Sequence, residues 1–496
     1  MSPLALGVDV GTSSTKGVLV DEHGRIRARA TRAHDVRRPR SGHVEMDAET
    51  WWEEFVAIAA ELTRDGEITV DAVGVSGMGP CVVLTDESGL PLRPAILYGV
   101  DTRAGEQIAR LTRELGADAI LERGGSHLTS QAVGPKLLWV AENEPEVARR
   151  ARRLFMPASW LAYCLTGEYR LDVHSASQCT PLFDRHSLSW YEPWARLVAP
   201  DLPLPRLGWP GEVAGTARGD VPGIPAGTPV TIGTIDAWTE ALSVGAASPG
   251  DLMLMYGTTM FLVATTAAPA VGPGLWGTCG VLPGTWSLAG GMATSGAVTA
   301  WITELTGADH ATLSAEAVTS GPGARGILML PYFAGERTPL DDPAARGEIV
   351  GLSLEHTRGD LYRAALEATG FAVRHILEAL AAAGVDVSRA VAVGGGASGG
   401  LWPRVVSDIT GIRQALPAET VGASLGAAFL AHGLLGSPRI EDWNPSVAVL
   451  EPDPSLRDLY DLRYRAYRDL YPATRAIVHA LPPADAPTPP SPERTS

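Results

Sequence analysis

Apolar residues along the chain fall into short runs closed by small-residue turns, and these runs alternate with longer stripes of helical period. Leu4 to Asp9 reads as a buried strand that closes on an aspartate. Gly11 to Lys16 follows as a turn of small hydroxylated residues, and Gly17 to Asp21 as a second strand ending at the His23-Gly24 turn. Between Glu49 and Thr63, Trp51, Trp52, Phe55, Ile58 and Leu62 recur near a 3.6-residue period and predict a helix. Val70 to Val75 and Val82 to Thr85 read as buried strands; Ala104 to Leu115, Lys136 to Asn143 and Ser159 to Leu165 read as helices. Strands alternating with helices in this way imply an α/β architecture.

The pattern restarts near residue 250. Leu252 to Tyr256, the turn Gly257-Thr258-Thr259, and Phe261 to Ala264 again read strand, Gly-Thr turn, strand. Two half-chains that each open on a hydroxyl-rich hairpin suggest two domains of related fold facing a cleft, divided as residues 1–246 and 247–480. The second half continues with a helix from Gly296 to Thr306, a strand from Gly326 to Pro331 and a long helix from Gly359 to Ala383. A strand at Val391 to Val393 leads into glycines 394 to 396, then come helices from Leu401 to Thr410, Ala423 to Ala431 and Asp453 to Tyr471. The last segment, 481–496, is rich in Pro, Ser and Thr and reads as a disordered tail.

Composition narrows the function classes. Hydrophobic residues make up 45% and charged residues 19%, which suits a globular protein with ample core. A formal net charge of -16 disfavours nucleic acid and anionic membrane as partners, since polyanions call for a basic footprint. Leu252 to Thr303 carries no charge, but Gly and Pro break it repeatedly, so it predicts buried strands and turns rather than a membrane span. The four cysteines form no C-x-x-C pair and have no zinc spacing, which points to a reducing cytoplasm. Only two lysines occur, Lys16 and Lys136.

The first hairpin has the parts of a phosphate cradle. Thr12, Ser13 and Ser14 supply hydroxyl and backbone donors, Gly11 allows close approach of the backbone, and Lys16 adds positive charge. It is not a Walker A loop, because no glycine precedes Lys16. Asp9, at the end of the strand before it, can hold Mg²⁺ through water. Gly257 and Thr258 repeat the arrangement in the second half, and Gly394 to Gly400 forms a third glycine-rich turn, with Gly395, Gly396 and Gly400 placed to approach a nucleotide. Three such turns spread over two half-chains fit ATP held across a cleft. Asp236, at the start of a helix running to Ala246, suits both an N-cap and a general base toward a substrate hydroxyl.

Together these segments resemble the FGGY family of carbohydrate kinases, whose members include xylulose, ribulose, glycerol and gluconate kinases. The xylulose kinases are the most similar. Asp9-Val-Gly-Thr-Ser-Ser-Thr-Lys16 resembles the family's first phosphate motif, and Leu330-Pro-Tyr-Phe-Ala-Gly-Glu-Arg-Thr-Pro339 its second-domain hallmark. Gly347-Glu-Ile-Val-Gly-Leu352, with Asp360-Leu361 and Ala364-Ala-Leu-Glu367, resembles its C-terminal signature. Gly394 to Ala397 and Glu419 to Ala428 are similar to its adenosine-site segments, and the likeness runs from about residue 4 to 436. It implies two actin-like ATPase (ribonuclease H-like) domains, with ATP and Mg²⁺ as cofactors. It also implies Asp236 as catalytic base, Asp9 beside metal and phosphate, and Gly296 along the nucleotide. On the sugar side it implies Gly79, Pro80, Asp101, Arg103 and Gln131. The expected partner is a small-molecule sugar, with the assembly, single chain or homodimer, left open.

The sugar loop departs from the family's known patterns. Met78-Gly-Pro-Cys81 stands where xylulose kinases carry Gln-Met-His-Gly and glycerol kinases Gln-Arg-Glu. With no unpaired cation evident at the pocket positions, the expected substrate is a neutral ketose or polyol. Two other readings fit parts of the chain. Gly396-Ala-Ser-Gly-Gly400 matches the G-x-S-x-G of a hydrolase, yet too little chain follows to place an acid and a histidine. An actin-like or chaperone-like ATPase that phosphorylates no sugar would share the hairpins but need neither Asp236 nor the C-terminal signature.

Overall fold

A computed structural model describes residues 2–482. The anticipated tail lies outside the described residues, apart from its first two positions. In the first half, the meander β1 (Leu4–Val10), β2 (Ser14–Asp21) and β3 (Ile26–Ala33) is followed by helix α1 (Ala48–Leu62) and strand β4 (Ala72–Gly77). Helices α2 (Val133–Asn143), α3 (Pro157–Thr166) and α4 (Val173–Ser177) come next, then strands β5 (Val213–Thr216), β6 (Pro229–Thr231) and β7 (Thr234–Ile235) and helix α5 (Asp236–Ser243). The second half contains β8 (Asp251–Tyr256), β9 (Met260–Thr266), β10 (Trp276–Cys279), β11 (Trp286–Met292) and helix α6 (Gly296–Thr306). Helix α7 (Arg358–Ala382), strand β12 (Arg389–Val393), helix α8 (Leu401–Thr410), strand β13 (Gln414–Pro417) and helix α9 (Ala423–Gly433) follow, and β14 (Ser446–Leu450) and α10 (Arg457–Ala480) complete it.

The echo heard in the sequence extends to whole sheets. The first runs β5-β6-β4-β1-β2-β3, with β7 also paired to β4; the second runs β10-β11-β9-β8-β12-β13-β14. In each, a three-strand antiparallel meander leads from its first strand to a parallel neighbour (β1 to β4, β8 to β12), then to a second parallel strand, then to an antiparallel edge. The uncharged stretch after residue 252 supplies the second meander, buried between helices, so its lack of charge is that of a two-sided core. Trp51 and Phe55 of α1 fill the core under the first sheet, and Phe371 of α7 with Tyr467 of α10 the core under the second.

One helix crosses the division. Helix α9, late in the second half, packs on β1 and β4 of the first sheet. A Cβ at Gly7 would stand 2.1 Å from the Ser424 carbonyl oxygen, one at Gly74 1.9 Å from that of Ala427, and one at Gly426 2.1 Å from that of Thr239 in α5. Ala427, Ala428 and Ala431 are fully buried there. Small residues on both surfaces let helix and sheet backbones approach to contact.

Some boundaries differ from the sequence reading, each for a hydrogen-bonding reason. The strand expected at 70–75 begins at Ala72, because the Val70 amide donates to the Gly223 carbonyl instead of to the sheet and Asp71 meets β1 only at its first residue, Leu4. Helix α5 stops at Ser243 rather than Ala246. The last helix continues through Pro472 to Ala480, where Thr474 donates to Glu348 and His479 lies 2.7 Å from Asp342.

Candidate active site

Strands β1, β4 and β7 run parallel at the centre of the first sheet and end together. The register sets Lys16 opposite Asp9, Asp9 opposite Ser76, and Ser76 opposite Thr234, so one row across the sheet carries an ammonium, a carboxylate and two hydroxyls. Asp236 follows two residues after Thr234, as the first residue of α5. The cap position belongs to Ile235, and the Asp236 Oδ1 accepts from the next amide, Ala237, at 2.8 Å. Of the two roles open to Asp236, capping is therefore not what holds it.

The carboxyls crowd one another. Burial, then the charge of Asp9, pushes Asp236 well above the usual carboxylate range. Burial also raises Asp9, with Ser76 and Lys16 pulling the other way, and Asp9 Oδ1 is buried with no hydrogen-bond partner among the described residues. Glu240, one helical turn beyond Asp236, is pushed up to about 7 by burial and by Asp9, against Lys16. Like charges gathered in a poorly solvated site keep protons to higher pH, as a base working near neutrality requires. Among the described residues no three His, Cys, Asp or Glu side chains converge as a metal cage. The unpartnered Asp9 oxygen does fit Mg²⁺ held by one carboxylate, waters and nucleotide phosphates.

The first phosphate turn is shorter than the sequence suggested. Pairing of β1 with β2 already begins at Val10 and Thr15, which leaves Gly11 to Ser13 as the tip and puts Ser14 and Lys16 on the strand. His34 braces the tip: its Nε2 donates to the Gly11 carbonyl at 3.0 Å while Nδ1 stands 2.9 Å from Glu54, which also accepts from Thr15 at 2.5 Å. In the second hairpin, the Gly257 carbonyl accepts from the Gly296 amide and from Ser295 Oγ, both at 3.0 Å, and Thr258 is exposed at the tip. A Cβ at Gly296 would stand 2.5 Å from the Gly257 oxygen, so glycine there seats the hairpin on the N-terminus of α6. In the third turn a Cβ at Gly395 or Gly400 would meet nothing within 4 Å, whereas Gly396 lies under the Trp402 ring. Ser398 donates to the Gly395 carbonyl and His432 contacts the Val20 carbonyl, so the two do not meet as a hydrolase would need.

On the sugar side, Gly79, joined to Pro80 by a cis peptide bond, packs on Ile235; a Cβ there would stand 2.7 Å from that side chain. Asp101 and Arg103 are brought together and buried, and neither lines the cavity between the two halves. The Arg103 side chain is fully buried, donates to both Asp101 oxygens and pairs with Glu45 at 2.8 Å. Acid and base two positions apart in one loop thus neutralise each other. Gln131 does reach the cleft, with its Oε1 accepting from the Gly99 amide at 3.0 Å. Lys136 is buried and donates to the Leu97 and Tyr98 carbonyls. Burial pulls its ammonium down to about 8.

Between the halves lies a cavity of about 340 Å³, walled by Tyr98, Gln131 and Gln178 from the first half and by Trp276, Thr278 and Arg337 from the second. Arg337 corrects the expectation that no unpaired cation lines the pocket. Its Nη2 donates to the Met292 carbonyl at 2.7 Å, and no carboxylate lies within 4.0 Å of it among the described residues. Its neighbour Glu336 is turned back to the Ala293 and Arg337 amides. Sequence reasoning missed Tyr98, Glu240, Arg337 and the far wall of the cavity. Glu240 was open to discovery as the i+4 partner of Asp236; the others depend on chain crossings that no local pattern records.

Comparison with known proteins agrees with this geometry. The model of the FGGY family of carbohydrate kinases, N-terminal domain, matches residues 4–243, and that of the C-terminal domain matches residues 252–433. A xylulose kinase from Escherichia coli is 30% identical over 484 residues, 94% of this chain and 98% of its own. A glycerol kinase from Citrifermentans bemidjiense is 32% identical, covering 86% of this chain and 89% of its own. The crystal structure of xylulose kinase from Rhodospirillum rubrum superposes with a TM-score of 0.89 at 31% identity, covering 96% of this chain and all of that one.

Proposed function

The chain belongs to the FGGY family of carbohydrate kinases, and from that premise we propose that it moves the γ-phosphoryl group of ATP to a hydroxyl of a small neutral carbohydrate, a ketose such as xylulose or ribulose or a polyol. It is a sugar kinase; the choice of acceptor and the residue roles are our reading. The observation that carries the reading is the pair Asp9 and Asp236 at the ends of two strands that flank β4, where Asp236 accepts from the Ala237 amide of its own helix and is kept basic by burial and by Asp9.

Asp236 takes the proton of the attacking hydroxyl. Thr12, Ser13 and Ser14 from one half and Gly257 and Thr258 from the other hold the phosphates, and Lys16 offsets the charge of Asp9. Mg²⁺, when bound through Asp9 and the nucleotide, lowers the negative charge that the transferring group presents. Phosphoryl transfer asks for positioning, charge neutralisation and a base, and each has a named residue in this cleft. The same reading puts the enzyme in the cytoplasm, where ATP is at hand and where its four unpaired thiols stay reduced.

Asp236→Asn tests it. The variant should fold and bind ATP as the parent does, while kcat on the best acceptor falls about 10²-fold or more. A kcat within a few-fold of the parent would remove Asp236 from the mechanism.

A further inference from the structure

The cavity beyond Tyr98 contains a fixed pattern of donors and acceptors. Buried His174 sets one of them. Its Nδ1 stands 2.6 Å from the Cys279 carbonyl, an acceptor only, so Nδ1 carries the proton. Burial keeps the ring neutral, pulling it down to about 4, and its Nε2 is therefore an acceptor. Gln178, 3.0 Å away, must donate to Nε2 through its amide nitrogen. That leaves the Gln178 Oε1 directed elsewhere, with no protein donor among the described residues, in a side chain that lines the cavity and is only 8% exposed.

Gln131 is fixed in the opposite sense. The Gly99 amide occupies its Oε1, and a Cβ at Gly99 would stand 2.7 Å from the Gln131 Cδ, so the amide nitrogen is the free end. Across the cleft, Thr278 is 5% exposed and lines the same cavity, and its hydroxyl is buried without a partner. The half-buried Trp276 ring completes the wall, backed by Phe261 at 5.4 Å and, behind that, Trp238 at 5.7 Å. One amide oxygen, one amide nitrogen and one orphan hydroxyl around an aromatic face form a site for a polyhydroxylated carbon chain: each partner suits a hydroxyl, and the ring suits the C–H face between them.

We propose that this cavity is the distal half of the acceptor site, and that Gln131, Gln178 and Thr278 read hydroxyls of the acceptor remote from the one phosphorylated. The inference rests on the kinase reading above and narrows it. The acceptor is a neutral chain of five or six carbons with free hydroxyls at its far end, not a three-carbon polyol. Because Gln131 and Gln178 come from one half and Thr278 from the other, a chain of that length bridges the cleft, and its far hydroxyls help to draw the halves together.

Phosphorylation rates on glycerol, a four-carbon polyol, pentuloses, hexuloses and a five-carbon aldonate, measured for the parent, Gln178→Ala and Thr278→Val, test this. Thr278→Val keeps the shape of the side chain and removes only the hydroxyl, so it remains informative if Gln178→Ala folds poorly. Both variants should lose about tenfold or more in kcat/KM on the best five- or six-carbon acceptor, through KM, with kcat within about threefold and glycerol unaffected. A loss equal at every chain length, or no loss, would overturn the distal site while leaving the kinase reading intact. Preference for the aldonate would overturn it too and hand the recognition to Arg337. No phosphorylation of any polyhydroxylated acceptor by the parent would defeat the kinase reading itself, and this inference with it.

Discussion

The Tyr98 hydroxyl stands 2.9 Å from that of Thr12, and this one contact joins the wall of the cavity between the halves to the tip of the first hairpin. Tyr98 is held from behind by Lys136, whose ammonium grips the Leu97 and Tyr98 carbonyls in a fully buried position. Both lysines of the chain thus serve the cleft: Lys16 lies opposite Asp9, and Lys136 fixes the aromatic that faces Asp236. On the proposed reading, a sugar against Tyr98 and a phosphate against Thr12 would be held by one hydrogen-bonded unit. Positioning of that kind governs the rate of phosphoryl transfer.

Arg337 approaches the same unit from the second half. It is anchored on Met292, at the end of β11, where that strand pairs with Met260 beside the second hairpin, and the charge of Arg337 is felt by Tyr98. The Arg337 side chain is exposed and lines the cavity, and no carboxylate pairs with it among the described residues, so its guanidinium is free to meet an anion; on the proposed kinase reading that anion is the transferring phosphoryl group. Arg337→Met should lower kcat about 10²-fold, leave KM for the sugar within a few-fold, and be partly rescued by Arg337→Lys. Steady-state kinetics on the neutral acceptor decide it. If KM rises and kcat holds, Arg337 binds the acceptor instead.

Packing of helix α9 on the first sheet gives a prediction about stability. Gly74→Ala places a methyl carbon 1.9 Å from the Ala427 carbonyl oxygen, where backbone on both sides must move. The expected cost is about 2 kcal/mol, the scale of overpacking in a close-packed core. Gly433→Ala, at the exposed end of the same helix with nothing within 4 Å of the added carbon, should be neutral or stabilising by up to about 1 kcal/mol. Denaturant unfolding of the two variants compares them directly. Equal stabilities would mean that the helix does not bear on Gly74.

The doubled fold was legible because each half announces itself with the same apolar strand, small turn and second strand, and because Asp9 and Asp236 close strands whose buried residues are unmistakable. The two hairpins were legible for the same reason, although strand pairing shortens the tip of the first to Gly11–Ser13 and moves Lys16 onto the sheet. What stayed hidden was long-range. Asp101 and Arg103 sit together in sequence like site residues, yet Glu45, far back in the chain, completes a closed ion pair. The acceptor oxygen of Gln178 exists only because Cys279, on a strand of the other half, fixes the tautomer of His174.

Glu240 supplies the last prediction, on pH. Its carboxyl is held at about 7 in the folded protein against an ordinary 4.5, by burial first and then by Asp9, with Lys16 opposing. A carboxyl whose folded value is raised adds stability while it is protonated. That contribution is complete below the unfolded value and is lost as pH climbs through the folded one. Asp9 and Asp236 are raised in the same direction, so the ligand-free protein should lose stability steadily from about pH 4.5 to above pH 7 as the cluster ionises. Glu240→Gln removes one of these charges and relieves the repulsion on its neighbours, so its unfolding midpoint should fall less steeply over that window than the parent's. Thermal melts across the range measure both slopes. Parallel curves would mean that solvent reaches Glu240 freely and that its carboxylate plays no part in the charge balance around Asp9.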